Sequence, residues 1–170
     1  MQNVDVSGNK LTNLKALSAL RHLNKLIACD NKITNMLDFD PPANLEFADY
    51  TNNCISKIEN VNRNKYLKVL NLDKNKISKI EGLSHNRSLT KVSLNQNEIR
   101  RIENLNDLMI EELYLSQNQI TIISGLEKLR VLKSLDLSQN RIAKLYGLST
   151  IESLRFLNLG LNQIEKILQL

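Results

Sequence analysis

Aliphatic residues recur along the chain at one fixed spacing, and an asparagine marks each recurrence. In residues 132–153 the sequence reads LKSLDLSQNRIAKLYGLSTIES, with aliphatic residues at positions 132, 135, 137, 142, 145, 148 and 151. The asparagine recurs at Asn9, Asn31, Asn53, Asn75, Asn97, Asn118, Asn140 and Asn162. All steps are 22 residues except one of 21. The period predicts eight copies of one unit, starting at residues 1, 23, 45, 67, 89, 110, 132 and 154.

Each unit contains a short strand with one apolar face. In the sixth unit Leu113 and Leu115 point to one side, while Glu112 and Tyr114 point to the other. Stacked copies bury this face in a parallel sheet, and parallel strands need crossovers. The predicted fold is an α/β solenoid, a right-handed coil of eight repeats without caps. Its sheet forms the concave face, and short helical or irregular crossovers form the convex face.

Two columns of residues have predicted backbone roles. The asparagines follow each strand, where an amide that both donates and accepts satisfies backbone groups of its own and the adjacent coil. We therefore interpret them as structural and not as ligand-binding residues. Gly or Asn seven residues later predicts a left-handed backbone conformation. These positions are Asn60, Gly82, Asn104, Gly125 and Gly147.

Repeats two, three and five depart from the pattern. Ala28 stands where a leucine is expected, and the large Tyr50 occupies the neighbouring inward position. One small and one large side chain in the same layer predict a compensation of volume. Repeat five lacks one residue, so the next repeat is predicted to begin at Ile110.

The composition fits a single domain over residues 1–170 and indicates no chemistry. The chain is 42% hydrophobic, and no apolar run approaches the roughly 20 residues of a membrane span. The first residues lack the layout of a signal peptide, and Cys29 and Cys54 lack the spacing of a disulfide or metal framework. We expect a cytoplasmic protein without a metal or a cofactor. Because His22 and His85 fall in separate crossovers, no catalytic group assembles, and we expect no enzyme.

The net charge of +5 is unevenly distributed. The outward positions of the strands carry eight acidic and six basic residues, out of 18 and 23 in the chain. Most other basic residues follow the asparagine column: Lys10, Lys32, Lys57, Lys76, Lys79, Arg100, Arg101, Arg141, Lys144 and Lys166. We favour solvated side chains over an acidic partner there. A nucleic acid is disfavoured because no aromatic residues interleave with this basic edge.

The concave face is the predicted site for a protein partner. Ile27, Phe47 and Val69 come from three consecutive strands and are free of core duty. Adjacent strands lie roughly 4.8 Å apart, so these residues could form an apolar patch of the kind that marks an interface. The full set of candidate binding residues is Ile27, Phe47, Asp49, Val69, Asn71, Tyr114, Asp136 and Phe156.

The pattern L-x-x-L-x-L-x-x-N-x-I/L is the leucine-rich repeat signature. Crossovers such as ISKIEGL (residues 77–83) resemble the 22-residue class typified by the leucine-rich regulatory subunit of protein phosphatase-1. Bacterial internalins share the period but are secreted. The irregular segment FDPPANLEFADYTNNCISKI (residues 39–58) and the run at 112–140 are similar to proteins that join leucine-rich repeats to a guanylate kinase domain. The similarity covers the repeat region of those proteins, and this chain has no phosphate-binding glycine loop.

This resemblance implies a role in ciliary or other cytoskeletal assembly. The alternatives are a phosphatase regulatory subunit and a targeting fragment of a larger multidomain enzyme. We also expect association through the ends or a longer parent chain, because a terminal repeat presents its core layer to water.

Overall fold

The computed structural model describes residues 2–39, 42–145 and 147–166 and contains one parallel sheet of eight strands. The strands are β1 (Asn3–Asp5), β2 (Lys25–Ile27), β3 (Phe47–Asp49), β4 (Val69–Asn71), β5 (Lys91–Ser93), β6 (Glu112–Tyr114), β7 (Ser134–Asp136) and β8 (Phe156–Asn158). They lie in sequence order, which confirms the predicted solenoid. Paired residues are 22 apart, except that Lys91 lies opposite Glu112, 21 residues later. Met1, where repeat one was predicted to begin, lies outside the described residues.

The core lies between the sheet and the crossovers. In β2–β7 the middle residue of each strand is buried and its first residue is partly exposed. The residue after each of these six strands is buried as well: Ala28, Tyr50, Leu72, Leu94, Leu115 and Leu137. Alternation with a period of two therefore separates a core face from a solvent face, as the sequence pattern requires.

The irregular third repeat fills its layer with Tyr50. Tyr50 and Ala28 are both fully buried, in neighbouring coils. The Tyr50 hydroxyl accepts a hydrogen bond from the backbone N–H of Leu37 at 3.2 Å. Leu37 has a left-handed backbone (φ 48°), which costs a residue with a side chain about 1–2 kcal/mol. The tyrosine thus fills space and also stabilises an unusual turn of the preceding crossover.

The described crossovers are mainly irregular turns. Their one helix is a short 3-10 helix at Lys15–Ala19. The predicted second column is left-handed: φ is 62° at Asn60, 76° at Gly82 and 75° at Gly125. An added Cβ at Gly125 would lie 2.3 Å from the carbonyl oxygen of Ile102, so the coils approach too closely there for a side chain. Where Asn replaces Gly, as at Asn104, the amide donates to the equivalent carbonyl, that of Ile80, at 2.8 Å.

Two asparagines occupy the interior of the crossovers in place of leucines. Asn64 and Asn86 are fully buried. The Asn64 amide donates to the Pro42 carbonyl at 2.9 Å, and the Asn86 amide donates to the carbonyls of Val61 and Asn64 at 2.8 and 2.9 Å. These bonds join three successive coils through the core, whereas the amide oxygens of Asn64 and Asn86 are buried without a hydrogen-bond partner among the described residues.

Candidate protein-binding face

Two rows of side chains cross the solvent-facing side of the sheet, which the sequence predicts to be the concave face. The first row holds the first residue of each strand: Asn3, Lys25, Phe47, Val69, Lys91, Glu112, Ser134 and Phe156. The other row, called the third row, holds the third residue of each strand: Asp5, Ile27, Asp49, Asn71, Ser93, Tyr114, Asp136 and Asn158. Both rows point away from the core because the middle residue of each strand points into it.

The three apolar residues expected to form one patch are divided between the rows. Phe47 and Val69 are neighbours in the first row, whereas Ile27 lies in the third row opposite Asp49. The three residues lie on adjacent strands, as predicted, but they do not share one row. Ile27 is therefore in register with an acidic residue instead of the apolar pair.

Phe47 and Val69 form one side of a hollow of about 350 Å³. Its lining is Phe47, Val69, Leu70, Asn71, Asp73, Lys91, Ser93, Asn95 and Tyr114. The hollow brings together Phe47, Val69, Asn71 and Tyr114 from the predicted set. Ile27, Asp49, Asp136 and Phe156 do not line it, and Phe156 is exposed in the last strand.

Sequence reasoning missed the polar half of this hollow, from Asp73, Lys91, Ser93 and Asn95. Lys91 and Ser93 occupy the same two rows as the predicted residues, so aligning the repeats by row would have identified them. Asp73 and Asn95 lie two positions beyond the third row and are at equivalent places in adjacent coils. Polar side chains are expected at such surface positions, so the sequence alone does not distinguish these two residues.

Two lysines of the first row lie over aromatic rings. The Lys25 ammonium is 4.8 Å from the centre of the Phe47 ring, and that of Lys91 is 5.0 Å from the Tyr114 ring. Lys91 also pairs with Glu112 at 2.7 Å, and the Tyr114 hydroxyl donates to the same carboxylate at 2.8 Å. These bonds lower the pKa of Glu112, with Lys91 the larger cause. The cluster fixes Tyr114 at the edge of the hollow.

The polar residues of the third row close the ends of the strands. Asp49 accepts the backbone N–H of Thr51 at 2.9 Å, Asn71 accepts that of Asp73 at 3.3 Å, and Asp136 accepts that of Ser138 at 2.9 Å. Short side chains with an acceptor oxygen favour this local bond. Three of the candidate binding residues therefore also have a structural function.

Where the third row lacks such a residue, the preceding coil supplies the acceptor. The N–H of Asn95 donates to Asp73 at 2.7 Å, and the N–H of Ser116 donates to Asn95 at 2.7 Å. Asp73 also accepts from the Ser93 hydroxyl at 2.6 Å and from the Asn95 amide at 3.2 Å. These bonds hold the Asp73 carboxylate rigidly in the lining of the hollow.

The asparagine column lies behind this face and connects the coils. In Asn118 the amide donates to the carbonyls of Leu94, Leu115 and Ser116, while its oxygen accepts the N–H of Ile99. The donor–acceptor distances are 2.9 to 3.2 Å. Six further members bond to both coils in the same manner: Asn31, Asn53, Asn75, Asn97, Asn140 and Asn162. The Asn9 amide donates to the carbonyls of Val6 and Ser7 of its own coil.

The thiols and acidic groups of the described residues do not form a metal site. Cys29 and Cys54 are free and partly exposed. Among residues 2–39, 42–145 and 147–166 no group of three or more His, Cys, Asp or Glu side chains is arranged to hold a metal. No helix of that part of the chain has the length and apolar character to cross a membrane.

Comparisons with known proteins relate the chain to leucine-rich repeat proteins. Residues 109–149 match the family profile described as leucine rich repeats (2 copies). A crystal structure of an internalin from Listeria monocytogenes superposes with a TM-score of 0.78 at 24% identity, over 99% of this chain and 57% of that one. No curated protein sequence matches the chain significantly.

Two further solved structures have the same fold. Internalin C2 of the same bacterium has a TM-score of 0.72 at 21% identity, over 92% of this chain and 80% of that one. A leucine-rich repeat protein of Leptospira interrogans has a TM-score of 0.74 at 25% identity, over 96% of this chain and 50% of that one. The chain thus has a leucine-rich repeat fold and spans about half of two of these three structures.

Proposed function

We propose that this chain is a non-catalytic scaffold that binds a protein partner on the concave face of its sheet. The observation that carries the proposal is the hollow lined by Phe47, Val69 and Tyr114 on that face. Apolar side chains gathered in a concavity and rimmed by polar groups are typical of interaction sites. Leucine-rich repeat folds present such extended concave surfaces to their partners.

The support behind the hollow suits binding without a large rearrangement. The asparagine column ties each coil to its neighbour, and the third-row caps fix the strand ends. A surface that is already ordered loses little conformational entropy on association, so more of the contact energy appears as affinity.

The place of this scaffold in the cell is a second part of the proposal. The resemblance of residues 39–58 favours a cytoplasmic role in a ciliary, axonemal or other cytoskeletal assembly. The crossovers of the 22-residue repeats, such as ISKIEGL, favour the alternative of a phosphatase regulatory subunit. Fragments of larger enzymes, with these repeats as the targeting region, are the contrasting class.

Affinity capture with variants tests the binding face. The chain and its Phe47→Ser/Val69→Ser variant serve as baits in extracts of ciliated and deciliated cells. We expect the variant to lose the partner with little change in melting temperature, because both residues are only partly buried and lie outside the core. Tyr66→Ser is the matched control, since it removes an exposed aromatic residue of a crossover, away from the two rows.

The outcomes separate the proposals. If Arg100→Glu/Arg101→Glu abolishes capture and the Phe47/Val69 variant retains it, the basic edge is the site. A partner found equally in both extracts argues against the ciliary role. Recovery of a phosphatase catalytic subunit supports the alternative.

A further inference from the structure

The charges around the hollow are distributed unequally. On the first-row side, Lys25 lies over Phe47 and Lys91 is paired with Glu112. On the third-row side, Asp73 lines the hollow, and Asp49 is joined to the lining residue Asn71 by a hydrogen bond of 3.3 Å. The first-row side thus carries lysines that already have partners, and the third-row side carries carboxylates.

The carboxylates of Asp49 and Asp73 are held by neutral donors. Asp49 accepts from the N–H of Thr51 and the amide of Asn71. Asp73 accepts from the hydroxyl of Ser93 and from the N–H and amide of Asn95. These bonds orient the oxygens but leave the negative charges uncompensated. Within the described ranges, no lysine or arginine forms an ion pair with either carboxylate.

The size of the hollow limits what enters it. About 350 Å³ is at the lower end of the range for small-ligand pockets, which suits one or two inserted side chains. The apolar wall of Phe47, Val69 and Leu70 favours an aliphatic or aromatic side chain. A segment that inserts this anchor places its neighbouring residues against the rim, and Asp49 and Asp73 there favour a cation.

We propose that the hollow receives an apolar side chain of an extended partner segment, while Asp49 and Asp73 bind a lysine or arginine of that segment. The inference rests on the proposed concave binding face and adds the chemistry of the partner. Oriented carboxylates form charge-assisted hydrogen bonds with such a cation without first being rearranged. An acidic segment would instead meet two uncompensated negative charges.

Selection from a phage library of short random peptides tests the inference. The library is selected on the chain and depleted on the Phe47→Ser/Val69→Ser variant, and the affinities of enriched peptides are measured by fluorescence anisotropy. We expect peptides with a large apolar residue close to a lysine or arginine. Loss of a charge-assisted contact, through Asp49→Asn or Asp73→Asn, weakens binding by about tenfold.

Asp5→Asn is the matched control. Asp5 occupies the same row as Asp49 and caps its strand by the same bond. Asp49 is also joined to the lining residue Asn71, whereas Asp5 lies on β1 and bonds to Ser7, outside the hollow. A double-mutant cycle pairs each Asp variant with replacement of the peptide's cation by methionine. Coupling is expected with Asp49 or Asp73 and not with Asp5, a difference that lost folding stability alone cannot produce.

Each outcome supports or overturns the inference. If peptides no longer bind Phe47→Ser/Val69→Ser but bind Asp49→Asn and Asp73→Asn as tightly as the wild type, the cation site is overturned. The proposed binding face is then left intact. Enrichment of acidic peptides that depend on Lys25 overturns the inference in the same way. If no enriched peptide depends on the hollow, both the inference and the proposed face fail.

Discussion

Single polar side chains connect the coils of this protein. Asn118 is largely buried, and its amide satisfies backbone groups of two coils at once. The preceding residue, Gln117, is exposed and has a left-handed backbone (φ 56°). Neighbours in sequence therefore differ greatly in what they contribute: one supplies its side chain to the interior, and the other contributes mainly its backbone bend.

Asn118→Ala should destabilise the chain far more than Gln117→Ala. Truncating Asn118 leaves the N–H of Ile99 without an acceptor, at a cost of about 1–3 kcal/mol. It also removes one donor from each of the carbonyls of Leu94, Leu115 and Ser116, which keep their bonds from Asn97, Asn140 and Gln96. At position 117 glutamine and alanine incur the same cost for the left-handed backbone, so Gln117→Ala should change the stability little. Thermal melts of the two variants check this. Equal shifts of the melting temperature would contradict the structural assignment.

Tyr50→Phe should be destabilising at neutral pH and should alter the alkaline limit of stability. The variant leaves the buried N–H of Leu37 without an acceptor, which costs about 1–3 kcal/mol. Burial raises the pKa of the Tyr50 hydroxyl above its ordinary value of 10.0. The folded state thus resists deprotonation, and the wild type loses stability as pH rises above about 10. Tyr50→Phe lacks this hydroxyl and should lose less stability over the same pH range.

Urea denaturation from neutral to alkaline pH measures both effects. Tyr66→Phe is the control, since Tyr66 is 58% exposed. We expect its urea midpoint to match that of the wild type at neutral pH. If the stability of Tyr50→Phe falls with pH above pH 10 as steeply as that of the wild type, the alkaline loss of stability is not due to this hydroxyl.

The strands and crossovers differ in how closely the sequence specifies them. The 22-residue period predicted the strand order, and the missing residue of repeat five predicted the shift in register between Lys91 and Glu112. Gly or Asn at the second column predicted the left-handed positions, because few other residues adopt them cheaply. These features are local and are repeated, so each copy strengthens the prediction.

The hollow could not be predicted in the same way. It depends on which side chains reach one another across adjacent rows, and no two of its coils carry the same residues. The buried bonds of Asn64 and Asn86 are similarly specific, since the sequence shows only that two leucines are missing there. The hydroxyl contact from Tyr50 to Leu37 also depends on an irregular turn of one crossover.

Gly125→Ala should damage a crossover more than the same change at Gly8. Both glycines are left-handed, with φ of 75° and 67°, so both variants incur about 1–2 kcal/mol of backbone strain. At Gly125 the new Cβ also meets the Ile102 carbonyl oxygen, and relieving that contact costs about 1–3 kcal/mol more. Nothing lies within 4 Å of a Cβ at Gly8. Urea denaturation compares the two, and equal losses would show that the coils separate easily.

At the scale of the whole molecule, the described sheet has two open edges. Each of β1 and β8 pairs with one neighbour, and Val4, Leu157 and Leu159 are only partly buried. By contrast, the middle residues of β2–β7 are covered on both sides by adjacent coils. Apolar area and unpaired strand edges at the same surface favour association with another chain.

The isolated 170-residue chain should therefore associate at micromolar concentrations. Covering several partly exposed aliphatic residues contributes at about 25 cal/mol per Å² of apolar area. Sedimentation equilibrium measures the mass against concentration. Leu157→Gln should reduce the association, while Ile122→Gln, which changes an exposed aliphatic residue of a crossover, should not. A monomer at all concentrations would show that the open edges are tolerated.

The sequential order of the sheet also determines how the molecule responds to force. Within the described part, every contact between strands joins consecutive strands, from β1·β2 to β7·β8. Under a pull on the two ends the coils can therefore detach one boundary at a time, because no strand is held by contacts with a distant strand. Each coil of 22 residues would release roughly 70–80 Å of extended polypeptide. The molecule should therefore lengthen under tension as its coils unfold one after another from the ends.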